Sequence, residues 1–230
     1  MKNGVNIPAR LWAIVLCSFF IHYAANGQAQ NNTLRDRGGN SYTVKLMPDN
    51  KKWITVNLNI DIPGSYGYEK AEQKNNSYGR LYTWQAAQEG CKLLGAGWRL
   101  PTNEEWQKMA KFYGGVRDDS ADGGKAAYEA LINGGKAGFN VVYGGSIDPA
   151  DGSYTSIDAH GFYWTATKSD TVNAWFYNLG KNGKILNRHQ DGNKQTALSV
   201  RCICDIINKG SIINYYPVIP AISKTLALFP

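Results

Sequence analysis

The stretch GWRLPTNEEWQKMAKFYGG, residues 97–115, carries the clearest local instruction in the chain. Thr102 and Glu105 stand three apart, the T-x-x-E spacing of a capping box, in which each side chain satisfies the other's backbone N–H. Asn103 and Glu104 fall in the first turn, where the positive helix end favours them. Pro101 precedes the cap and Trp106 takes the fourth helical position, the spacing of a hydrophobic staple. Gly114 and Gly115 stop the helix. The stretch reads as a capped helix anchored by a tryptophan.

Upstream, TWQAAQEGCKLL at 83–94 places Trp84, Ala87 and Cys91 at i, i+3 and i+7, an amphipathic helix that aims Cys91 inward. Before it, the β-branched runs 41–47 (SYTVKLM) and 53–59 (WITVNLN) flank a Pro-Asp-Asn turn and predict a strand pair. The polar, tyrosine-rich segment 64–79 reads as a surface loop. Downstream, a further helix is predicted over 125–132, and the glycine-rich segment 134–161 is mostly irregular. Strands follow at 162–167, 174–179, 185–189 and 198–204, with turns at 180–183 and 190–193. Two early helices and a late antiparallel β-meander make an α+β domain over 41–205.

The two ends differ from this body. Lys2 and Arg10 precede an apolar run at 11–21, too short for a bilayer span but normal for an export signal. Small residues at Ala24, Ala25 and Gly27 suit cleavage, so 1–27 is read as a signal peptide and 28–40 as a linker. An uncleaved anchor is the alternative. Leu16 before Cys17 argues against a lipoprotein. The protein is then secreted or held in the cell envelope, in the periplasm or on the outer surface. At the other end, 206–230 is an apolar tail whose Pro217 and Pro220 rule out a membrane helix. It reads as an appendage or as a strand that pairs with a partner.

Hydrophobic residues make up 43% of the chain and charged ones 19%, which argues against disorder and a coiled coil. A formal charge of +7 points towards nucleic acid, yet setting aside Lys2, Arg10, Lys209 and Lys224 leaves +3 over 28–205. No basic stripe remains, so nucleic acid is not an expected partner. Without Cys17 the cysteines are Cys91, Cys202 and Cys204, one pair and an odd thiol.

Five separated blocks now matter together. The run GRLYTWQAA from Gly79, Cys91 with GWRLPT from Gly97 and Glu105-Trp106, GFYWTAT from Gly161, NAWFYNL from Asn173, and SVRC from Ser199 resemble the Fibrobacter succinogenes major paralogous domain. The signature residues are Trp98, Leu100, Pro101, Thr102, Glu105, Trp106, Trp164, Trp175 and Arg201. The resemblance runs from about Tyr42 to Asp205. It implies a C-type-lectin-like fold, surface or secreted location in Bacteroidetes-type bacteria, and no established activity. The R-L-P-T-x-x-E-W block is also similar to sulfatase-modifying, formylglycine-generating enzymes. Lectin-like domains join the first helix to the last strand by a cystine, which implies a Cys91–Cys202 disulfide. Cys202 and Cys204, two apart on one strand, have the wrong geometry to pair with each other.

Each reactive arrangement has a plain structural alternative. Formylglycine-type catalysis needs a reactive cysteine; the implied bridge takes Cys202 and leaves only Cys204, so no enzyme is expected, and a cryptic enzyme of that group is the second alternative after a structural component that pairs through its tail. The calcium-dependent sugar triplets of C-type lectins do not occur. Asp118, Ser120, Asp122, Gly123 and Glu129 match EF-hand positions, but Lys125 and the early helix stop make a solvated acidic turn the default. No metal or cofactor is expected. His160 and His189 lack a triad or paired metal spacing. What remains is a binding face of Tyr143, Tyr154, His160, Tyr177, Asn178, Arg188 and His189, whose rings and amides suit a glycan or a surface protein. Its alternative is that the tyrosines only pack.

Overall fold

A computed structural model describes residues 32–68 and 77–206. The predicted signal peptide, the first linker residues and residues 207–230 of the tail lie outside them.

Strands β1 (Thr33–Arg35), β2 (Ser41–Leu46) and β3 (Lys51–Ile54) form an antiparallel run. Strand β1 corrects the linker reading, because Thr33 to Arg35 pair with Thr43 to Ser41. Period-two alternation buries Tyr42 between exposed Ser41 and Thr43, and its hydroxyl donates to Asp36 at 2.7 Å. A small ribbon of β4 (Ser65–Tyr66) and β5 (Leu81–Tyr82) precedes helix α1 (Trp84–Lys92). Thr83 caps α1, and Trp84, Ala87 and Cys91 are all buried, as their spacing predicts.

Strand β6 (Trp98–Arg99) then leads into helix α2 (Asn103–Lys111). Both halves of the capping box are present: Glu105 N–H donates to Thr102 Oγ1 at 3.2 Å, and Thr102 N–H donates to Glu105 Oε2 at 2.8 Å. Glu105 does more than cap. It also receives both arms of the Arg99 guanidinium at 2.7 and 2.6 Å and lies 3.2 Å from Lys51. Asp205 completes the cluster by pairing with both Lys51 and Arg99. Gly115 N–H bonds back to the Ala110 carbonyl at the helix end, with φ of +91° that suits glycine. Helix α3 (Lys125–Leu131) follows, opened by Asp122, whose carboxylate accepts from Gly124 and Ala126 N–H.

After the ribbon β7 (Ser146–Ile147) and β8 (Tyr154–Thr155), strands β9 (His160–Lys168), β10 (Asn173–Gly180) and β11 (Ile185–Asn193) form a three-stranded antiparallel meander. Residues 190–193, predicted to turn, extend β11 instead, since Gly192 and Asn193 pair with Ala174 and Asn173. The last predicted strand is also revised. Leu198 and Ser199 make isolated bridges, residues 200–202 have no regular structure, and only β12 (Ile203–Asp205) is a strand. That strand leaves the meander and inserts between β3 and β6, giving a five-stranded sheet of order β1-β2-β3-β12-β6. Mixed helices and antiparallel sheets confirm the α+β reading.

Among the described residues, two large aromatic clusters and a smaller one around Tyr68 fill the interior. Of the large two, one gathers Trp53, Trp106, Phe139, Tyr163 and Tyr177; the other gathers Tyr42, Tyr82, Trp84 and Trp164 around Cys91 and Cys202. Trp106 stacks on Tyr177 at 4.9 Å and meets Trp53 and Phe139 edge to face. The Trp84 and Trp164 indoles donate to the Thr165 and Tyr82 carbonyls at 2.8 and 2.9 Å, stitching α1 and β5 to β9. The Cys91–Cys202 disulfide is present, spanning 111 residues, while Cys204 is free and half-buried. Among the described residues no helix is long and apolar enough to cross a membrane.

A loop of about 110 residues closed by one bond restricts the unfolded chain by about 4–5 kcal/mol. The Cys91→Ala/Cys202→Ala pair is therefore expected to lower unfolding free energy by about 4 kcal/mol in urea melts; a loss under about 1 kcal/mol would contradict this account. Glu105 gives a pH signature. Burial pushes its carboxyl up, but the Arg99 fork, the Thr102 amide and Lys51 outweigh it, holding its pKa below the ordinary glutamate value. A depressed folded pKa contributes stability above the unfolded value of about 4.3 and loses it as pH falls through the folded one. Thermal melts between about pH 6 and pH 3 should show a shallower acid loss for Glu105→Gln than for wild type, with the variant less stable at neutral pH. Parallel acid profiles would show that the cluster contributes little.

Candidate binding face on the three-stranded sheet

The central strand β10 decides which predicted site residues meet. Phe176 lies opposite Trp164 and His189, Asn178 opposite Phe162 and Asn187, and Gly180 opposite His160 and Ile185. Side chains of directly paired residues share a face, and alternation sends Tyr177 and Leu179 to the other side. His160, Asn178 and His189 of the predicted set therefore come together on one face.

Four half-buried rings run across it. His160 stacks on Phe162 at 5.4 Å, Phe162 meets Phe176 edge-on at 6.1 Å, and Phe176 stacks on His189 at 5.0 Å. Trp164, fully buried, supports Phe176 from below at 6.1 Å. Two amides orient the histidines. His160 Nδ1 lies 3.0 Å from Asn178 Oδ1, and Asn187 Nδ2 lies 3.2 Å from His189 Nε2. An amide oxygen accepts and an amide nitrogen donates, so His160 Nδ1 can donate to Asn178 and His189 Nε2 can accept from Asn187. The face thus offers apolar ring surface edged by polar nitrogens and amides. It opens at one end into a shallow cleft of about 290 Å³ lined by Phe162, Phe176, Asn193 and Thr196.

Two glycines give the rings room. A Cβ at Gly180 would lie 3.0 Å from His160 Cε1. One at Gly192 would lie 2.7 Å from Phe176 Cδ1 and 2.8 Å from Trp164 Cζ3.

The other predicted residues lie elsewhere. Tyr177 is a core residue, fully buried against Trp106 with its hydroxyl donating to the Asn103 carbonyl at 3.0 Å. Burial pushes its phenol pKa far up, and it is no part of a binding face. Arg188, paired with Tyr177 in register, shares that opposite side; it holds Asp118 at 2.8 Å and lies over the Trp175 ring. Tyr143 shares a 2.6 Å hydroxyl contact with Tyr128, and the Tyr154 hydroxyl donates to the Gly67 carbonyl. Phe162, Phe176 and Asn187 were missed from sequence, although each follows from Asn178 once strand pairing is known.

The EF-hand-like residues also have structural work. Asp118 pairs with Arg188, while Ser120 and Asp122 bond the start of α3. Among the described residues no cluster of three or more His, Cys, Asp or Glu is placed to hold a metal ion.

The model of the Fibrobacter succinogenes major domain family matches residues 31–204. The chain belongs to this family. No curated protein and no solved structure matches it. In this Fibrobacter succinogenes major domain the matched unit starts just before β1 and ends within β12, so it takes in the strand first read as linker. Its signature blocks supply the capped helix, the Glu105 charge cluster, the tryptophan stitches and buried Arg201. They also supply Phe162 and Phe176 of the ring row.

Adding one methyl at Gly192 forces Phe176 and Trp164 apart. Gly192→Ala is expected to cost about 1–3 kcal/mol by overpacking and to alter the near-ultraviolet circular dichroism. An unchanged melt and spectrum would mean that the ring row is loosely held.

Proposed function

We propose that the protein is an exported, non-catalytic binding domain of C-type-lectin-like architecture that acts at or outside the cell surface and recognises a glycan or another protein. The observation that carries this reading is the row His160, Phe162, Phe176 and His189 with its amides, at one face of the meander. Planar rings stack on the apolar faces of sugars or on peptide side chains, while neighbouring amides and ring nitrogens bond hydroxyls or backbone. The arrangement needs no metal or cofactor to do this. Export fits the leader-like start and a disulfide that is kept in oxidising compartments.

A catalytic role is disfavoured by the fate of the cysteines. The enzymes that share the R-L-P-T-x-x-E-W block depend on reactive thiols; here Cys202 is in the bridge, Thr102 and Glu105 are spent on helix capping, and Cys204 is the one free thiol among the described residues.

A glycan array and a pull-down of surface proteins, both with the protein produced from residue 28 onward, test the reading. Binding should fall at least tenfold in His189→Ala and in Phe176→Leu, which removes the ring but keeps apolar bulk against Trp164, while both variants stay folded by circular dichroism. Turnover of a bound ligand, or undiminished binding by both variants, would count against it.

A further inference from the structure

A cleft of about 670 Å³ lies away from the ring row. Among the described residues, five asparagines line it: Asn40, Asn57, Asn59, Asn133 and Asn140. Among the described residues none with a charged side chain lines it. Such a volume falls within the roughly 300–1,000 Å³ of small-ligand sites.

Its floor is fixed before anything binds. Arg201, fully buried, donates from Nε to Asn57 Oδ1 at 2.8 Å and from a terminal nitrogen to the Asn140 carbonyl at 2.8 Å. Asn57 Nδ2 is spent on the Tyr78 carbonyl and Ser199 hydroxyl, at 2.8 and 3.2 Å. Asn59 donates to Asn40 Oδ1 at 3.2 Å, and Asn40 donates back to the Asn59 carbonyl at 3.1 Å. Asp36 lies behind this pair, held by Asn40 and the Tyr42 hydroxyl.

The rim differs from the floor. Among the described residues the side-chain amides of Asn133 and Asn140 make no hydrogen bond. Asn140 also stands at φ of +55°, a left-handed conformation that costs energy away from glycine. Its carbonyl is pinned there by Arg201, so the free amide is presented from a rigid backbone. A rigid floor with the Asn140 amide held above it is the preorganised part of a site, and the exposed Asn133 amide stands at its edge.

From this geometry we propose that the cleft is a second binding site, for a short, uncharged oligosaccharide. A primary amide donates and accepts from one side chain, which matches hydroxyl groups that do the same. The described lining residues give an acidic ligand no partner for its charge, and burying that charge unpaired is costly. Val56 and Val142 supply a modest apolar wall, enough for the faces of sugar rings. The inference stands apart from the ring-row reading, because it uses none of the same side chains.

Nuclear magnetic resonance on the intact, isotope-labelled protein tests it. The probes are cello-, xylo- and manno-oligosaccharides of about four units, with an oligogalacturonate of equal length as the anionic counterpart. At least one neutral series should shift the Asn133 and Asn140 side-chain amide signals saturably while the His160 and His189 ring signals stay in place. Asn133→Ala and Asn140→Gly should each weaken that binding about tenfold, the size of one lost hydrogen bond. Glycine at 140 keeps the left-handed backbone, so the variant removes the amide without straining the loop. Shifts at the two histidines alone, stronger binding of the oligogalacturonate, or no response to any of the four probes would each overturn the proposal.

Discussion

A single buried cation holds the middle of this domain together. Arg201 is fully buried, and among the described residues it has no carboxylate partner. Its guanidinium instead donates to Asn57 Oδ1 and to the carbonyls of Phe139 and Asn140, beneath the rings of Phe139 and Tyr163. Burial pushes its pKa down, yet arginine stays charged at any ordinary pH. Carrying a charge out of water costs several kcal/mol unless geometry and extra hydrogen bonds offset it. Carbonyl dipoles and two ring faces provide that offset here. The segments that supply them, following β3, preceding β7 and in β9, are consequently locked to the one that enters β12. Phe139 and Tyr163 belong to the first aromatic cluster, while Val200 and Cys202, the residues flanking Arg201, belong to the second.

The signature around Trp98 to Trp106 is a second case of several tasks placed in few residues. Glu105 caps its own helix, takes the Arg99 fork and draws in Lys51, which brings β3 to the helix start. Asn103 N–H donates to Thr167 Oγ1, and its carbonyl accepts from Tyr177, which ties the same turn to the meander. Surface ion pairs contribute little singly, but this cluster is partly shielded and fixes orientation as well as energy. A capping motif thereby becomes the junction of both sheets.

Much of this was legible in the sequence wherever the controlling interactions are local. The cap at Thr102, the inward face of α1 and the glycine stop at Gly114 and Gly115 all depend on residues within about one helical turn of each other. The bridge was reached through family resemblance, since three cysteines alone leave the pairing open. Non-local pairing was harder. Residues 33–35 look like linker until Thr43 is opposite them, and residues 190–193 look like a turn until Asn173 and Ala174 are. The predicted binding set contained both Tyr177 and Asn178, and both Arg188 and His189. Neighbours on a strand point to opposite faces, so at most one of each pair could serve. Composition cannot choose between them; the register against Phe162 and Trp164 does. The asparagine cleft was invisible for the same reason, as its lining comes from segments up to about a hundred residues apart.

The Cys91–Cys202 bond has a mechanical consequence. Tension applied to the chain outside the domain enters through β1 on one side and through β12 on the other. Reaching Cys91 from one end and Cys202 from the other, it passes across the disulfide and bypasses the 111-residue separation between them. The capped helix, the meander and its ring row lie inside that covalent detour. While that bond is intact, the backbone between the two cysteines cannot be drawn out from its ends.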